Sequence, residues 1–442
     1  MNGDQSSHGL WEASAPAGPV TPRLSGALSA DVVVVGAGYT GCSAALHIAL
    51  AGARPVILEA AEIGFGGSGR NVGLVNAGLW VMPDVVLEAV GADRGERIVR
   101  QLGEGPGLVF DLIARHNIAC EAVRAGTLHC AADRYGVADL AERARQWQRR
   151  GVCVELLEGH EAARLTGSDA FPAVLLDHRA GTIQPLAYAR GLAAAAIRHG
   201  ALIYAQSPAL ACEEVGDRWR IATPGGSVTA PWVIVATDAY STEPWRALSR
   251  EQVPLPYFNL ATAPLPPDIR ASILPERQGA WDTKSILSSF RLDDAGRLVF
   301  GSVGALRSGG ARVHAHWARR KLARLFPALG PIEFEHAWYG TIGMTDDALP
   351  RLHALDRNIL SISGYNGRGI APGTSFGRDL ARVALGEVEL DELALAETPV
   401  RTAPFRVLKG AFYEAGAQIA HAIATRFHFS NTERFTSQRT RQ

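Results

Sequence analysis

The chain has 442 residues, more than one compact core usually holds, so two domains are expected. It is 47% hydrophobic and 20% charged, a globular composition that excludes a disordered or fibrous chain. Lys and Arg number 44 and Asp and Glu also 44, and the pI is near 7.2, so there is no electrostatic case for nucleic acid or an anionic membrane as partner.

The cysteines, Cys42, Cys120, Cys130, Cys153 and Cys212, are odd in number and form no C-x-x-C pair. That pattern points to reduced thiols in a cytoplasmic protein rather than a disulfide frame or a zinc site. No secretory signal is read at the start, and no apolar run is long enough to span a bilayer.

Residues 1–29 are rich in Gly, Ser, Pro and Ala and read as an extended arm that Trp11 pins to the body. Asp31 to Val35 then form a buried strand, followed by G-x-G-x-x-G at Gly36, Gly38 and Gly41. A helix from Tyr39 to about Ala51 and a strand from Pro55 to Leu58 follow, ending on Glu59. Together these make a dinucleotide site. Gly36 permits the turn, Gly38 leaves room for a pyrophosphate, and Gly41 lets helix meet strand. The helix N-terminus offers N–H groups to phosphate, and Glu59 accepts from the ribose hydroxyls.

Residues 86–145 read as mostly helical. A helix and the strand Ala201 to Ala205 follow within 182–212, then alternating segments at Trp219 to Ile221 and Ser227 to Val228. Trp232 to Tyr240 is a buried strand ending in a polar turn, with Thr237 and Asp238 at its carboxyl end, where ligands of α/β sheets bind. This cluster is expected to join the first sheet. Residues 253–303 alternate like antiparallel strands, with a turn at Asp293 to Gly296, and 311–326 read as a helix. They suggest a second domain inserted into the first. Asn358 to Gly386 repeats the strand, glycine-rich turn and helix pattern. Pro404 to Phe429 is amphipathic through Phe405, Leu408, Phe412, Ile419, Ile423 and Phe427. No Ser-His-Asp pattern and no metal-ligand cluster emerges; His314 and His316 face different sides of their helix.

Several of these stretches carry a family resemblance. The sequences GFGGSGRNVG (Gly64 to Gly73), GTIQPLAYARGLA (Gly181 to Ala193), FRLDDAGRLVFG (Phe290 to Gly301), WYGTIGMTDDALPRL (Trp338 to Leu352) and GYNGRGIAPGTSFGRDLA (Gly364 to Ala381) join the first glycine motif. Over roughly residues 8–425 the chain resembles the D-amino-acid-oxidase superfamily of FAD enzymes, and within it the γ-glutamylputrescine oxidoreductase group. The resemblance implies an α/β fold: an FAD-binding Rossmann-like domain of the glutathione-reductase type with an inserted α+β substrate domain of antiparallel sheet. The expected division is a 1–29 arm, an FAD domain at 30–85, 146–245 and 336–400, a substrate domain at 86–145 and 246–335, and a C-terminal helix and tail at 401–442.

FAD is implied rather than NAD, which the glycine motif alone leaves open. Its ADP half is expected on Gly36, Gly38, Tyr39, Thr40, Gly41, Glu59 and Ala60, with Ala209, Ala236 and Thr237 nearby. Its flavin half is expected on Ser68, Gly69, Arg70, Asn71, Val72 and Gly73, and on Gly340, Gly364, Asn366, Gly367, Gly369 and Ile370. Backbone N–H groups of the last turn would stabilise negative charge on the reduced ring. Two departures matter. Tyr339 stands where sarcosine oxidases attach FAD through cysteine, so noncovalent FAD is expected. Val299 stands where they carry an oxygen-activating lysine, which weakens the case for an oxidase. Asp238 replaces a common Asn and Gln184 a common His.

The implied chemistry is oxidation of a C–N bond of an amine or amino acid, with the imine hydrolysed afterwards. Tyr257, Trp281, Arg291 and Trp338 are the catalytic-site candidates, with Phe258, Asn259 and Ser285 near them by location. Arg291 or Arg307 is matched to a substrate carboxylate, and His178 to a base. Core packing or a solvated surface position is the alternative for each. The tail is expected to dock on the FAD domain; a membrane-surface helix would need a richer basic face. O2 and another electron acceptor stay open, as do a dehydrogenase subunit feeding a partner chain or quinone and a non-catalytic dinucleotide binder.

Overall fold

A computed structural model describes residues 7–423. The Val32–Val35 strand is buried along its whole length, because parallel strands lie on both sides of it and helices cover the sheet faces. The sheet runs Arg351–Asp356, Ile359–Ser363, Trp232–Val235, Val32–Val35, Pro55–Leu58, Leu202–Tyr204. All neighbours are parallel except the first pair, a hairpin. Helix Ile370–Ala384 runs tightly along helix Tyr39–Leu50; a methyl on Gly377 would meet the Thr40 carbonyl at 2.4 Å.

An eight-stranded sheet forms the second layer, in the order Phe334–Met344, Val253–Pro264, Arg297–Val303, Ser288–Leu292, Gly279–Asp282, Thr127–Cys130, Ala173–Asp177, Val154–Glu158. Asp293 and Gly296 close the expected turn, the Gly296 N–H donating to the Asp293 carbonyl. The expected α/β architecture with an antiparallel-rich roof is therefore present.

Strand allocation differs from expectation in three places. Val154–Glu158 and Ala173–Asp177 lie in the eight-stranded sheet, although 146–245 was assigned to the FAD domain. Phe334–Met344 also lies there, paired along its length with Val253–Pro264. Arg218–Thr223 and Gly226–Ala230 do not extend the parallel sheet; they form a separate one with Ala211–Val215 and Gly26–Ser29. Residues 7–29, the described part of the expected 1–29 arm, are thus not simply extended.

Leu10–Ser14 is a short helix, and Trp11 inside it is fully buried. Its indole meets Trp338 edge to face at 5.4 Å and donates to the Asn71 carbonyl at 2.8 Å. Gln184 reaches the same helix, donating to the Trp11 carbonyl at 2.9 Å while capping helix Pro185–Arg198. Trp11→Ala should cost roughly 3–5 kcal/mol of stability. Thermal unfolding of the variant checks this; an unchanged midpoint would show that the arm only rests on the surface.

The C-terminal helix Arg406–Ile423 does not dock on the parallel-sheet domain as expected. Gly410 lies against Pro254, and His421 stacks on Trp317 at 3.7 Å and meets His314 through a 2.8 Å hydrogen bond. Small residues on that face let the helix settle against strand Val253–Pro264 and helix Gly310–Leu325. Phe427 lies outside the described residues. Acid should loosen this seat. Burial holds the His314 imidazole down at about 4 and the His421 imidazole down at about 3, the latter helped by His314 and Lys321. A released imidazole titrates near 6.5, so the detached state binds more protons below that value. Docking is therefore complete above pH 6.5 and weakens as pH falls toward 4. Hydrogen exchange across 406–423, corrected for intrinsic rate, should rise over that window; a flat profile would contradict the seat's dependence on neutral imidazoles.

Candidate active site

Between the two large sheets lies one cavity of about 700 Å³. Val35, Ala236 and Tyr365 mark the carboxyl ends of three parallel strands along it, and Leu255, Tyr257, Ser289 and Val303 belong to the roof.

At one end Glu59 is nearly buried and each carboxylate oxygen accepts a backbone N–H, from Ala37 at 2.7 Å and Ala61 at 2.8 Å. Burial pushes its pKa up, against the pull of those donors. Next along, Gly38 caps helix Tyr39–Leu50 without a side chain. A methyl there would end 2.9 Å from Ser68 Oγ and fill the gap between helix and loop. Gly36, at φ +102°, brings the turn against the Ala236 carbonyl. A helix N-terminus facing an open gap, with an acid beyond it, fits a dinucleotide's pyrophosphate and ribose.

The loop Ser68–Asn71 is tied down from both sides. The Tyr39 amide donates to Ser68 Oγ at 3.1 Å, and Asn71 Nδ2 donates to Tyr39 Oη at 3.0 Å. The Arg70 carbonyl accepts from Trp338 Nε1 at 3.1 Å and Asn259 Nδ2 at 3.0 Å, while its guanidinium lies 4.4 Å from the Phe65 ring. The second glycine turn is fixed likewise. The Gly364 amide donates to Asp238 Oδ1 at 2.8 Å, and the Thr345 amide to Asn366 Oδ1 at 2.8 Å. Burial raises the Asp238 pKa.

The expected cofactor positions line the cavity from Gly36 to Ile370, apart from Gly41, Gly69, Gly73 and Gly364. Those four sit behind it, Gly41, Gly69 and Gly73 against backbone and Gly364 against the Thr345 side chain; a methyl on Gly69 would lie 2.3 Å from the Gly64 carbonyl. None of the five cysteines lines the cavity, and neither Tyr339 nor Val299 reaches it.

The expected catalytic residues divide. Tyr257 and Trp281 line the cavity with Ser285. The Tyr257 hydroxyl pairs with Ser289 Oγ at 2.7 Å, and burial raises its pKa, so it stays protonated and serves as a hydrogen-bonding group rather than a base. Trp338 and Arg291 do not reach the cavity. Trp338 is sealed between Trp11 and the Arg70 carbonyl, so it positions the loop. Arg291 is wholly buried, donates to the Ile183 carbonyl, lies under the Trp11 ring at 5.6 Å and has Glu121 at 3.8 Å. Its charge is answered inside the protein. Arg307 pairs with Glu414 at the surface, Phe258 faces His314, and exposed His178 pairs with Glu155. None of the three lines the cavity.

Sequence reading missed Trp80, Tyr240 and Arg368. Trp80 and Tyr240 line the cavity, and the Tyr240 hydroxyl accepts the Thr341 amide at 2.9 Å. Arg368 stands immediately behind, its guanidinium 4.7 Å from the Trp80 ring and 5.3 Å from the Trp281 ring. Among the described residues its guanidinium donates to the Ala77 carbonyl at 3.0 Å, and its buried Nε has no partner. Burial, then the like charge of Arg143, pulls its pKa down to about 9. Its place between Gly367 and Gly369 was the one available signal. Elsewhere, among the described residues, the fold gathers one group of potential metal ligands that the sequence did not suggest: His8 Nδ1 lies 3.3 Å from Glu12 and 3.5 Å from Glu62.

Residues 31–383 match the DAO family, described as FAD dependent oxidoreductase. The chain is 33% identical over 406 residues to gamma-glutamylputrescine oxidoreductase of Escherichia coli (strain K12), spanning 88% of this chain and 93% of that one. It is 29% identical to a probable oxidoreductase OrdL of Haemophilus influenzae, over 83% and 86% of the two chains. Among solved structures, glycine oxidase from Geobacillus kaustophilus superposes with a TM-score of 0.68 at 20% identity, covering 86% of this chain and 98% of the other. L-proline dehydrogenase from P. horikoshii gives 0.65 at 17% identity, covering 88% and 99%. At these identities the two structures speak to fold alone. With the glycine turns, the acid at Glu59 and the family match across most of its length, the chain belongs to the DAO family of FAD-dependent oxidoreductases.

Proposed function

We propose that this enzyme oxidises the C–N bond of an amine that also carries a carboxylate, with FAD held noncovalently along Glu59, Ser68–Val72 and the Gly364–Ile370 turn. A γ-glutamyl-conjugated amine, the substrate class in the name of the 33% identical relative, satisfies this description, and so does an amino acid. Arg368 is the observation that carries the reading. It is a buried guanidinium beside the substrate wall with no acid at ion-pair distance among the described residues, Asp177 acting on it only from farther off, and a buried charge so weakly answered is costly unless a ligand completes it. The family match and the cysteine-free cavity lining support the cofactor assignment.

Bound FAD supplies the acceptor for a hydride leaving the carbon next to nitrogen. The protein's part is placement. Trp80 and Trp281 present apolar faces that exclude water, and the Tyr257 and Ser289 hydroxyls offer hydrogen bonds. Indole walls and the Arg368 charge both disfavour an ammonium, so the amine is held neutral, as its oxidation requires. The substrate imine then takes up water to give a carbonyl compound and the released amine.

Anaerobic mixing of the FAD-loaded protein with matched amines tests the proposal. Carboxylate-bearing amines should bleach the flavin, and their amide counterparts should do so only at much higher concentration. Equal bleaching by both would remove the carboxylate from the reading; none by any amine would remove amine oxidation. Admitting air afterwards separates O2 from another acceptor.

A further inference from the structure

The C-terminal helix Arg406–Ile423 is seated by a narrow face: Gly410, Ala417 and His421 are its buried residues. Its apolar stripe points the other way. Leu408, Phe412, Ile419 and Ile423, with Phe405 just ahead of the helix, fall on one face and are between 43% and 78% exposed. Single exposed apolar residues are ordinary, but a continuous stripe on one element marks a surface that something covers.

Charge says what. Glu414, the one acid of this helix, turns inward to Arg307. Lys409 remains on the outer half, while Arg406 turns toward the body and donates to the Gln252 carbonyl at 3.0 Å; Arg246 and Arg250 of the neighbouring helix lie close enough that, after burial, their like charges lower the Arg406 pKa. In the sequence that follows, Arg426, Arg434, Arg439 and Arg441 stand against a single acid, Glu433. The balanced net charge of the whole chain hides this concentration. A second copy of the same cationic helix would be repelled by it. An anionic bilayer surface complements both features, taking Phe, Leu and Ile into the acyl boundary and Arg and Lys to its phosphates.

We propose that this helix is an interfacial anchor that docks the enzyme on anionic lipid bilayers. The test is sedimentation of the full-length FAD-loaded protein with vesicles of phosphatidylcholine mixed with phosphatidylglycerol, against phosphatidylcholine alone. The protein should pellet with the anionic vesicles and be released by high salt. The pair Leu408→Glu and Phe412→Glu should lower partitioning at least tenfold, and Lys409→Gln about fivefold at low salt, the size expected for one surface cation. Both variants should keep the flavin spectrum and amine-driven bleaching of the parent. Failure to bind either vesicle would overturn the proposal, and equal binding to both would overturn its charge argument. A lipid-free dimer in analytical ultracentrifugation, abolished by the same double variant, would give the stripe to a second copy instead. None of these outcomes depends on which amine is oxidised.

Discussion

Gly41→Ala should yield protein without FAD. The added methyl would lie 2.0 Å from the Gly36 carbonyl oxygen and 3.2 Å from Val34 Cγ1. Both neighbours belong to the strand and turn that shape the nucleotide end, so neither can yield without moving the site. Overpacking of this kind costs roughly 1–3 kcal/mol by itself. Here the strain also lifts the N-terminus of helix Tyr39–Leu50 away from Ser68 and Glu59. We expect the ratio of flavin to protein absorbance to fall at least tenfold after purification, with partial recovery in excess FAD. Gly107→Ala is the control. It lies inside helix Ala92–His116 and an added methyl meets nothing within 4 Å. That change should be neutral or should stabilise by roughly 0.5–1 kcal/mol through helix propensity. A Gly41→Ala protein that kept full flavin would show that helix and strand can separate without harm to the site.

The nucleotide half was legible because its signals are local. Strand, glycine turn, helix and Glu59 lie within thirty residues, and each glycine answers to a nearby backbone. The turn at Gly364–Gly369 was legible for the same reason. Sheet membership was not. Val154–Glu158 and Ala173–Asp177 have the same composition whichever sheet they join; their place follows from pairing with Thr127–Cys130, a choice made at long range. The arginines show the same limit. Sequence singles out Arg291 and Arg307 and passes over Arg368. Only the fold gives Arg291 to the Ile183 carbonyl and Glu121, gives Arg307 to Glu414, and leaves Arg368 without an acid at ion-pair distance among the described residues. The C-terminal helix repeats the lesson. Its period announces an apolar face, but the small residues Gly410 and Ala417 chose the face that docks.

Arg368→Met should weaken binding of a carboxylate-bearing amine by roughly 2–5 kcal/mol, thirtyfold or more, with a smaller effect on the limiting rate of flavin reduction. Truncating a guanidinium that holds the fold together lowers stability. Replacing a buried guanidinium that makes no close ion pair, Asp177 acting on it only from farther off, with an apolar side chain of similar length should leave stability unchanged or raise it. The two roles therefore part in one pair of measurements. If Arg368 answers a substrate carboxylate, the substrate-free variant melts no lower than the parent and binds the amine poorly. If it is structural, the variant melts lower and any loss of binding follows from that. A cycle with the substrate's amide adds a second check, because the amide should bind parent and variant alike. The parent's affinity for the carboxylate form should also decline as pH rises through about 9, where burial and Arg143 bring the Arg368 charge to its titration. The Met variant should show no such decline. A simple carboxylate without an amine, titrated against the flavin spectrum, should follow the same pH profile. Equal carboxylate affinity in parent and variant would remove Arg368 from substrate recognition and return the question to the hydroxyls of Tyr257 and Ser289.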